Sequence, residues 1–268
     1  DVYKRQAQVP FPIQSPEQVV AAVEAEFSGR TRLLIVDHIT SPTALIFPIR
    51  ELIAAARNRG IRVMIDGAHA PGQVPVNLRE LNPDYYAANQ HKWLCGPKAS
   101  GFLWVREEFQ DEVRPTIISN SASRAWPNRS RYLAEFDWPG TWDPTPVLAM
   151  PETLDFLGSL FPGGLAELCA SNHVLMIEGR TLICEALGIE PSAPEEMLAS
   201  MCTFALPKSF ESNLIELQSQ LVRDYRVEVP IFPGIGSAHG LLRVSLQVYN
   251  CRSDLERLAK ALQVCGSF

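Results

Sequence analysis

Arg62-Val63-Met64-Ile65-Asp66-Gly67-Ala68-His69 opens as a short apolar run and stops on an acid, a glycine and a histidine. A second run over residues 84–88 leads into Asn89-Gln90-His91-Lys92-Trp93. A lysine at the end of a buried strand is expensive to keep charged. Burial favours the neutral amine, and a neutral amine is a nucleophile toward aldehydes. Alone, Lys92 reads as an ordinary surface lysine. Asp66 changes that reading, because an aspartate ending a neighbouring strand can hold a pyridinium nitrogen. The pair suggests a pyridoxal phosphate site, in which lysine carries the cofactor and aspartate makes it an electron sink.

The surrounding sequence alternates strand and helix. Ser15-Pro16-Glu17-Gln18 predicts a helix start: serine caps, proline takes the first helical position and Gln18 closes a capping box. That helix is expected to reach Phe27, with Gly29 as its stop. Residues 32–38 contain Leu33-Leu34-Ile35-Val36, the continuous apolar run of a buried parallel strand. An amphipathic helix follows over 48–59, ended by Gly60, and further strands are expected at 62–66, 84–88 and 101–105. Strand and helix in alternation mean crossover units and a mostly parallel sheet, with ligands beyond the carboxyl ends of the strands. Asp37, His38, Asp66, His69, His91 and Lys92 all fall at or just after such ends. Turn chemistry alone would also favour acids there.

The pattern changes after about residue 115. Residues 119–128 are polar and irregular, and 139–146 read as a Pro- and Gly-rich loop. Helices are expected over 147–160, 164–187 (stopped by Gly188) and 210–225, and strands over 200–206, 226–232 and 241–247. A last helix is expected from Ser253, with Glu256 completing a capping box and Leu255, Leu258, Ala259 and Leu262 on one face. The division expected is a large unit over 1–160 and a smaller α+β unit with a partly antiparallel sheet over 161–268.

Bulk composition narrows the function classes. The chain has 268 residues, 46% hydrophobic and 20% charged, with a net charge of -6. No basic run interleaves with aromatics, as nucleic-acid binding would want. No apolar stretch approaches the roughly 20 residues of a membrane span. Six cysteines occur without a CxxC pair, and the five histidines show no metal spacing, so neither a zinc nor a disulfide framework is expected. A reducing, cytoplasmic setting fits.

Five ordered segments carry a family resemblance. They are Asp37-His38-Ile39-Thr40-Ser41-Pro42-Thr43, Asp66-Gly67-Ala68-His69-Ala70-Pro71-Gly72-Gln73, His91-Lys92-Trp93-Leu94-Cys95-Gly96-Pro97-Lys98, Phe136-Asp137-Trp138-Pro139-Gly140-Thr141 and Arg243-Val244-Ser245-Leu246-Gln247-Val248-Tyr249-Asn250. The chain resembles the class V aminotransferase family of fold type I pyridoxal phosphate enzymes, most of all its isopenicillin N epimerase-like branch. The resemblance implies the aspartate aminotransferase-like fold, here a partial large domain with a mostly parallel sheet plus a small C-terminal α+β domain.

It also implies roles. Lys92 matches the residue that carries the cofactor covalently and moves the substrate's alpha proton. Asp66 matches the partner of the pyridine nitrogen, and His69 the position that hydrogen-bonds the phenolic oxygen, often a glutamine. Asn89 and His91 match contacts to the cofactor phosphate; Asn89 departs from the serine of the desulfurase branch. Thr141 matches a residue reaching the phosphate of a neighbouring subunit, which would make the enzyme a homodimer with a shared site. Arg243 matches the arginine that grips the substrate carboxylate. Ser41 stands where relatives carry an asparagine near the cofactor, and Trp93, Trp126, Trp138 and Trp142 read as core, interface or pocket-wall residues, with Trp142 the candidate for the site mouth.

Family chains start well upstream of Asp1, and their phosphate loop and ring-stacking residue are not found between Asp1 and Ser15. The expectation is therefore a truncated chain, with residues 1–6 as a foreign leader and cofactor affinity impaired. Residues 226–242 contain no cysteine, which argues against a desulfurase. Epimerase-like or lyase-like chemistry on an amino acid or amino-acid conjugate remains, with transamination, or a non-catalytic scaffold role, as the alternatives.

Overall fold

The computed structural model describes residues 3–124, 126–210, 214–236 and 238–266. Helix α1 (Pro16–Ala25) leads to β1 (Leu33–Asp37), α2 (Ile49–Arg57) and β2 (Arg62–Asp66). A short α3 (Leu78–Leu81) precedes β3 (Tyr85–Asn89) and β4 (Gly101–Val105). Then come α4 (Arg131–Asp137), α5 (Thr145–Leu148), α6 (Met150–Ser159) and the long α7 (Gly164–Leu187). The chain continues through β5 (Met201–Ala205), α8 (Leu214–Tyr225), β6 (Ile231–Pro233), β7 (Gly240–Ser245) and α9 (Arg252–Cys265).

Two sheets result. The first runs β1-β2-β3-β4, with β1, β2 and β3 parallel and β4 antiparallel to β3. The second runs β5-β7-β6 and is antiparallel throughout. One continuous cluster of buried side chains draws on both, from Val19, Leu52 and Ile65 to Phe204, Leu241 and Leu262. Helix α7 packs on α9, the two meeting where Gly179 leaves room for Leu255. The apolar face foreseen for α9 is buried at Leu255, Leu258, Ala259 and Leu262.

Register places the chemistry. Asp37 pairs with Asp66 across β1 and β2, and Asp66 with Ala87 across β2 and β3. Parallel pairing therefore brings the carboxyl ends of three strands to one side of the sheet. Below that rim lies Tyr86, with no exposed surface, whose hydroxyl meets His38 Nδ1 at 2.9 Å. Its ring occupies the space a side chain at Gly67 would need: a Cβ there would sit 2.1 Å from Tyr86 Cε1.

Several elements differ from their sequence reading. Ser15 is the N-cap residue as expected, but its side chain turns to Glu17 and makes no capping bond, and Gln18 Oε1 accepts from Gln14 N at 2.8 Å. Residues 147–160 split into α5 and α6, since Pro151 has no N–H to continue the first helix. Helix α9 starts at Arg252 rather than Ser253; Asp254 is short enough to reach back to Cys251 N, at 3.1 Å, and closes the box that Glu256 was expected to close. Of the strand expected over 226–232 only Ile231 and Phe232 pair with β7, joined by Pro233, because Val227 N closes the end of α8 on Leu221 O. Of the helix expected over 210–225, Phe210 lies in a 3-10 turn and residues 211–213 fall outside the described residues. Asp1 and Val2 of the expected leader do so too.

The Gly67–Tyr86 contact leaves no slack. A Gly67→Ala variant is expected to lose about 1–3 kcal/mol of stability through overpacking, read as a lower urea midpoint. An unchanged midpoint would mean that Tyr86 does not fill that space.

Candidate active site

The carboxyl rim of the first sheet presents Asp37 and Asp66 side by side, and Lys92 follows β3 by one turn. Asp66 Oδ1 accepts from Ala68 N at 2.9 Å, which orients the carboxylate at the start of the 66–73 turn. His69, in that turn, stands between two neighbours. Its Nε2 is 3.2 Å from Lys92 Nζ, and its Nδ1 accepts from Trp93 Nε1 at 3.2 Å. Arg243, on β7, donates from Nη1 to Ser41 O at 2.8 Å and to Ser41 Oγ at 3.0 Å. Its buried Nε has no hydrogen-bond partner among the described residues.

Charges and burial shift these groups coherently. Burial holds the Lys92 amine below its ordinary range; Asp66 and Asp37 pull it back up and Arg243 pushes it down. Burial, with the cations Lys92 and Arg243, lowers His69 to about 4, so the imidazole is neutral at physiological pH. Burial raises Asp37, and Asp66 beside it raises it further. Burial alone takes His38 down to about 4.

Two buried glutamines that the sequence reading passed over hold this arrangement. Gln73 Nε2 donates to His69 O at 2.7 Å while its Oε1 accepts from Ser200 N at 3.1 Å. Gln247 Nε2 donates to Trp93 O at 3.0 Å, and its Oε1 accepts from Asn172 Nδ2 and Val248 N, each at 2.8 Å. Both amides thus tie the lysine-bearing face of the first sheet to the second. Gly72, with φ of 90°, lets the turn close on Trp93; a Cβ there would lie 2.7 Å from the Trp93 carbonyl carbon. A sequence signal for Gln247 existed, since an amide directly after an apolar strand seldom sits in a core without partners.

Of the residues singled out from sequence, the fold gathers Asp37, Ser41, Asp66, His69, Lys92 and Arg243 into one electrostatically coupled group. Asn89 and His91 flank it on β3 and its following turn, with His91 Nδ1 3.4 Å from Ser100 O. Thr141 and Trp142 are exposed on the loop before α5, and no hydrogen bond among the described residues joins them to Lys92. Trp93 is buried, while Trp126 and Trp138 remain partly exposed. A cleft lined by Pro16, Val20, Phe47 and Glu51, between α1 and α2, contains none of these groups. Among the described residues no helix is long and apolar enough to cross a membrane, and no His, Cys, Asp and Glu group could hold a metal.

Residues 7–258 match the family described as Aminotransferase class-V. The chain belongs to the class V aminotransferase family. Among the relatives of this class V chain, a putative L-cysteine desulfhydrase 2 of Oryza sativa subsp. japonica is 31% identical over 285 residues, covering 95% of this chain and 58% of that protein. The isopenicillin N epimerase of Amycolatopsis lactamdurans is 34% identical over 263 residues, covering 94% of this chain and 64% of that protein. The chain thus spans about three fifths of these relatives' length. A cysteine desulfurase from Thermococcus onnurineus NA1 superposes with a TM-score of 0.72 at 20% identity, covering 91% of this chain and 62% of that one. That likeness shows the fold, which is the fold type I architecture of pyridoxal phosphate enzymes.

The side chains present fit that cofactor. An amine held below its ordinary range, a carboxylate at the neighbouring strand end and a buried guanidinium donor without a protein partner are the groups an aldehyde, a pyridinium and an anion require.

His38 gives this rim an acid sensitivity with a definite sign. An ordinary histidine takes its proton near 6.5, the folded one only near 4, so in that window the unfolded chain binds the extra proton and stability falls with pH. Between pH 7 and pH 5 this contributes a loss of about 2 kcal/mol. Urea unfolding of a His38→Gln variant at both pH values should show a pH dependence smaller by that amount; identical dependence would place the acid sensitivity elsewhere.

Proposed function

We propose that the complete protein is a pyridoxal phosphate enzyme that removes the alpha proton of an amino acid or a small amino-acid conjugate. The observation carrying this reading is the group at the rim: Lys92 with a depressed amine, Asp66 beside it and Arg243 from the second sheet. The cofactor, when bound, supplies the electron sink that lets the alpha C–H bond ionise. Asp66 holds the pyridine nitrogen and keeps it protonated. His69 donates to the phenolic oxygen, and Asn89 and His91 contact the phosphate. Arg243 grips the substrate carboxylate with the guanidinium edge that Ser41 leaves free. Lys92 anchors the cofactor and then, as a free amine, takes the alpha proton and returns it.

Return of the proton to the opposite face is epimerisation, and loss of a beta substituent is elimination. The relatives described above, an isopenicillin N epimerase and a putative L-cysteine desulfhydrase, support those two outcomes. A desulfurase outcome is disfavoured because no cysteine lies in residues 226–242. We assign residues 1–160 to a cofactor-binding unit and 161–268 to a smaller unit. A second copy is assigned to the apolar surface at Leu148 and Phe156, both exposed, with Thr141 serving that copy's phosphate site. All six cysteines are free, which suits a reducing, cytoplasmic setting.

The test uses the full-length protein. Borohydride treatment with the cofactor should leave a pyridoxyl group on Lys92, and Lys92→Ala should lose both label and turnover. With L-cysteine an eliminase releases sulfide, ammonia and pyruvate; in D₂O an epimerase exchanges the alpha hydrogen of its amino acid. Arg243→Lys should raise KM about tenfold with the label retained. A protein that takes no label and behaves identically as Lys92→Ala would be a scaffold, and the proposal would fall.

A further inference from the structure

The contact between Trp93 and His69 is used by none of the steps above. We infer that Trp93 is a positioning residue that fixes His69 as its Nε2–H tautomer, so that His69 presents a donor to Lys92 Nζ and favours the free amine. The inference rests on the reading of Lys92 as the cofactor-bearing lysine.

The argument is one of proton counting. An indole N–H can only donate, and it points at His69 Nδ1 from 3.2 Å. His69 is neutral in the working range, so it carries a single ring proton. With Nδ1 engaged as an acceptor, that proton sits on Nε2, the atom 3.2 Å from Lys92 Nζ. An ammonium has three donors and no acceptor, so against Nε2–H it would set donor against donor. The neutral amine has a lone pair and accepts. The opposite tautomer would reverse the preference, because a bare Nε2 would accept from the ammonium and hold the proton on lysine. Asp66 and Asp37 both favour the ammonium, and Arg243 opposes it. The tautomer therefore acts against two carboxylates.

Trp93 is held rigidly enough to do this. It is 9% exposed, and its carbonyl accepts from Gln247, itself 4% exposed. Gly72 lies close against its backbone as well. The indole has little freedom to leave His69.

Two measurements on the chain test the inference. Nitrogen-15 NMR of histidine-labelled protein at neutral pH, with His69 assigned by its loss in His69→Gln, should show Nε2 protonated and Nδ1 bare. Trp93→Phe should turn that signal into a mixture of tautomers. An Nδ1–H tautomer in the unaltered chain, or an unchanged signal in Trp93→Phe, overturns the inference. The second measurement is the rate of imine formation with pyridoxal phosphate at neutral pH. Trp93→Phe should slow it about tenfold, the equivalent of about one unit in the amine's pKa. In a His69→Gln background, where an amide donates without any choice of tautomer, Trp93→Phe should have no further effect. Equal slowing in both backgrounds would mean that the indole acts by packing alone, and would overturn the inference. If Lys92 takes no aldehyde at all, the proposed function fails while the NMR measurement still decides the tautomer.

Discussion

Two buried amide side chains hold the chemistry of this chain in place. Gln73 joins the 66–73 turn to Ser200 ahead of β5, and Gln247, just after β7, joins Trp93 to Asn172 on α7, each using both ends of its amide. A buried amide left half-satisfied costs about 1–3 kcal/mol, so neither can let go of one partner without penalty. The geometry around Lys92 follows from that. The 66–73 turn cannot drift from β5, and Trp93 cannot drift from the segment after β7.

The rim gathers unlike charges that would not stay together unaided. Asp37 and Asp66 repel each other across paired strands, and Lys92 and Arg243 do the same a short distance away. The group balances because each repulsion is offset by an attraction of opposite sign, and because the neutral imidazole of His69 stands among the cations without adding to them. Below the rim, Tyr86 and His38 satisfy one another out of contact with water, which lets the floor of the site remain uncharged.

Much of this was legible in the sequence because it depends on local patterns. Apolar runs mark β1 and β2, and the acids that end them mark the rim, since a parallel sheet delivers those ends to one side; β1, expected to be buried, is instead an end strand with Leu33 and Ile35 exposed. Gly164 to Gly188 bracketed α7 correctly, a long helix with a left-handed glycine at its stop. What stayed hidden depends on pairings between distant residues. No local pattern announces that Gln247 will meet Trp93, that Arg243 will bind Ser41, or that Tyr86 will press against Gly67. The first helix starts at Pro16 after Ser15 as expected, but its capping bond goes to Gln14 N; the last helix starts one residue early because Asp254, not Glu256, reaches the backbone of Cys251.

The separation of those pairings along the chain has a temporal meaning. Arg243 meets Ser41 across 202 residues, and Gln247 meets Trp93 across 154. Contacts so distant form late, since a long loop must be closed before they repay it. During synthesis the first sheet is complete long before β7 leaves the ribosome. Until then Gln247 is absent from behind Trp93, and the rim lacks the cation of Arg243. The rim around Lys92 therefore receives its last charged side chain only when β7 has been made.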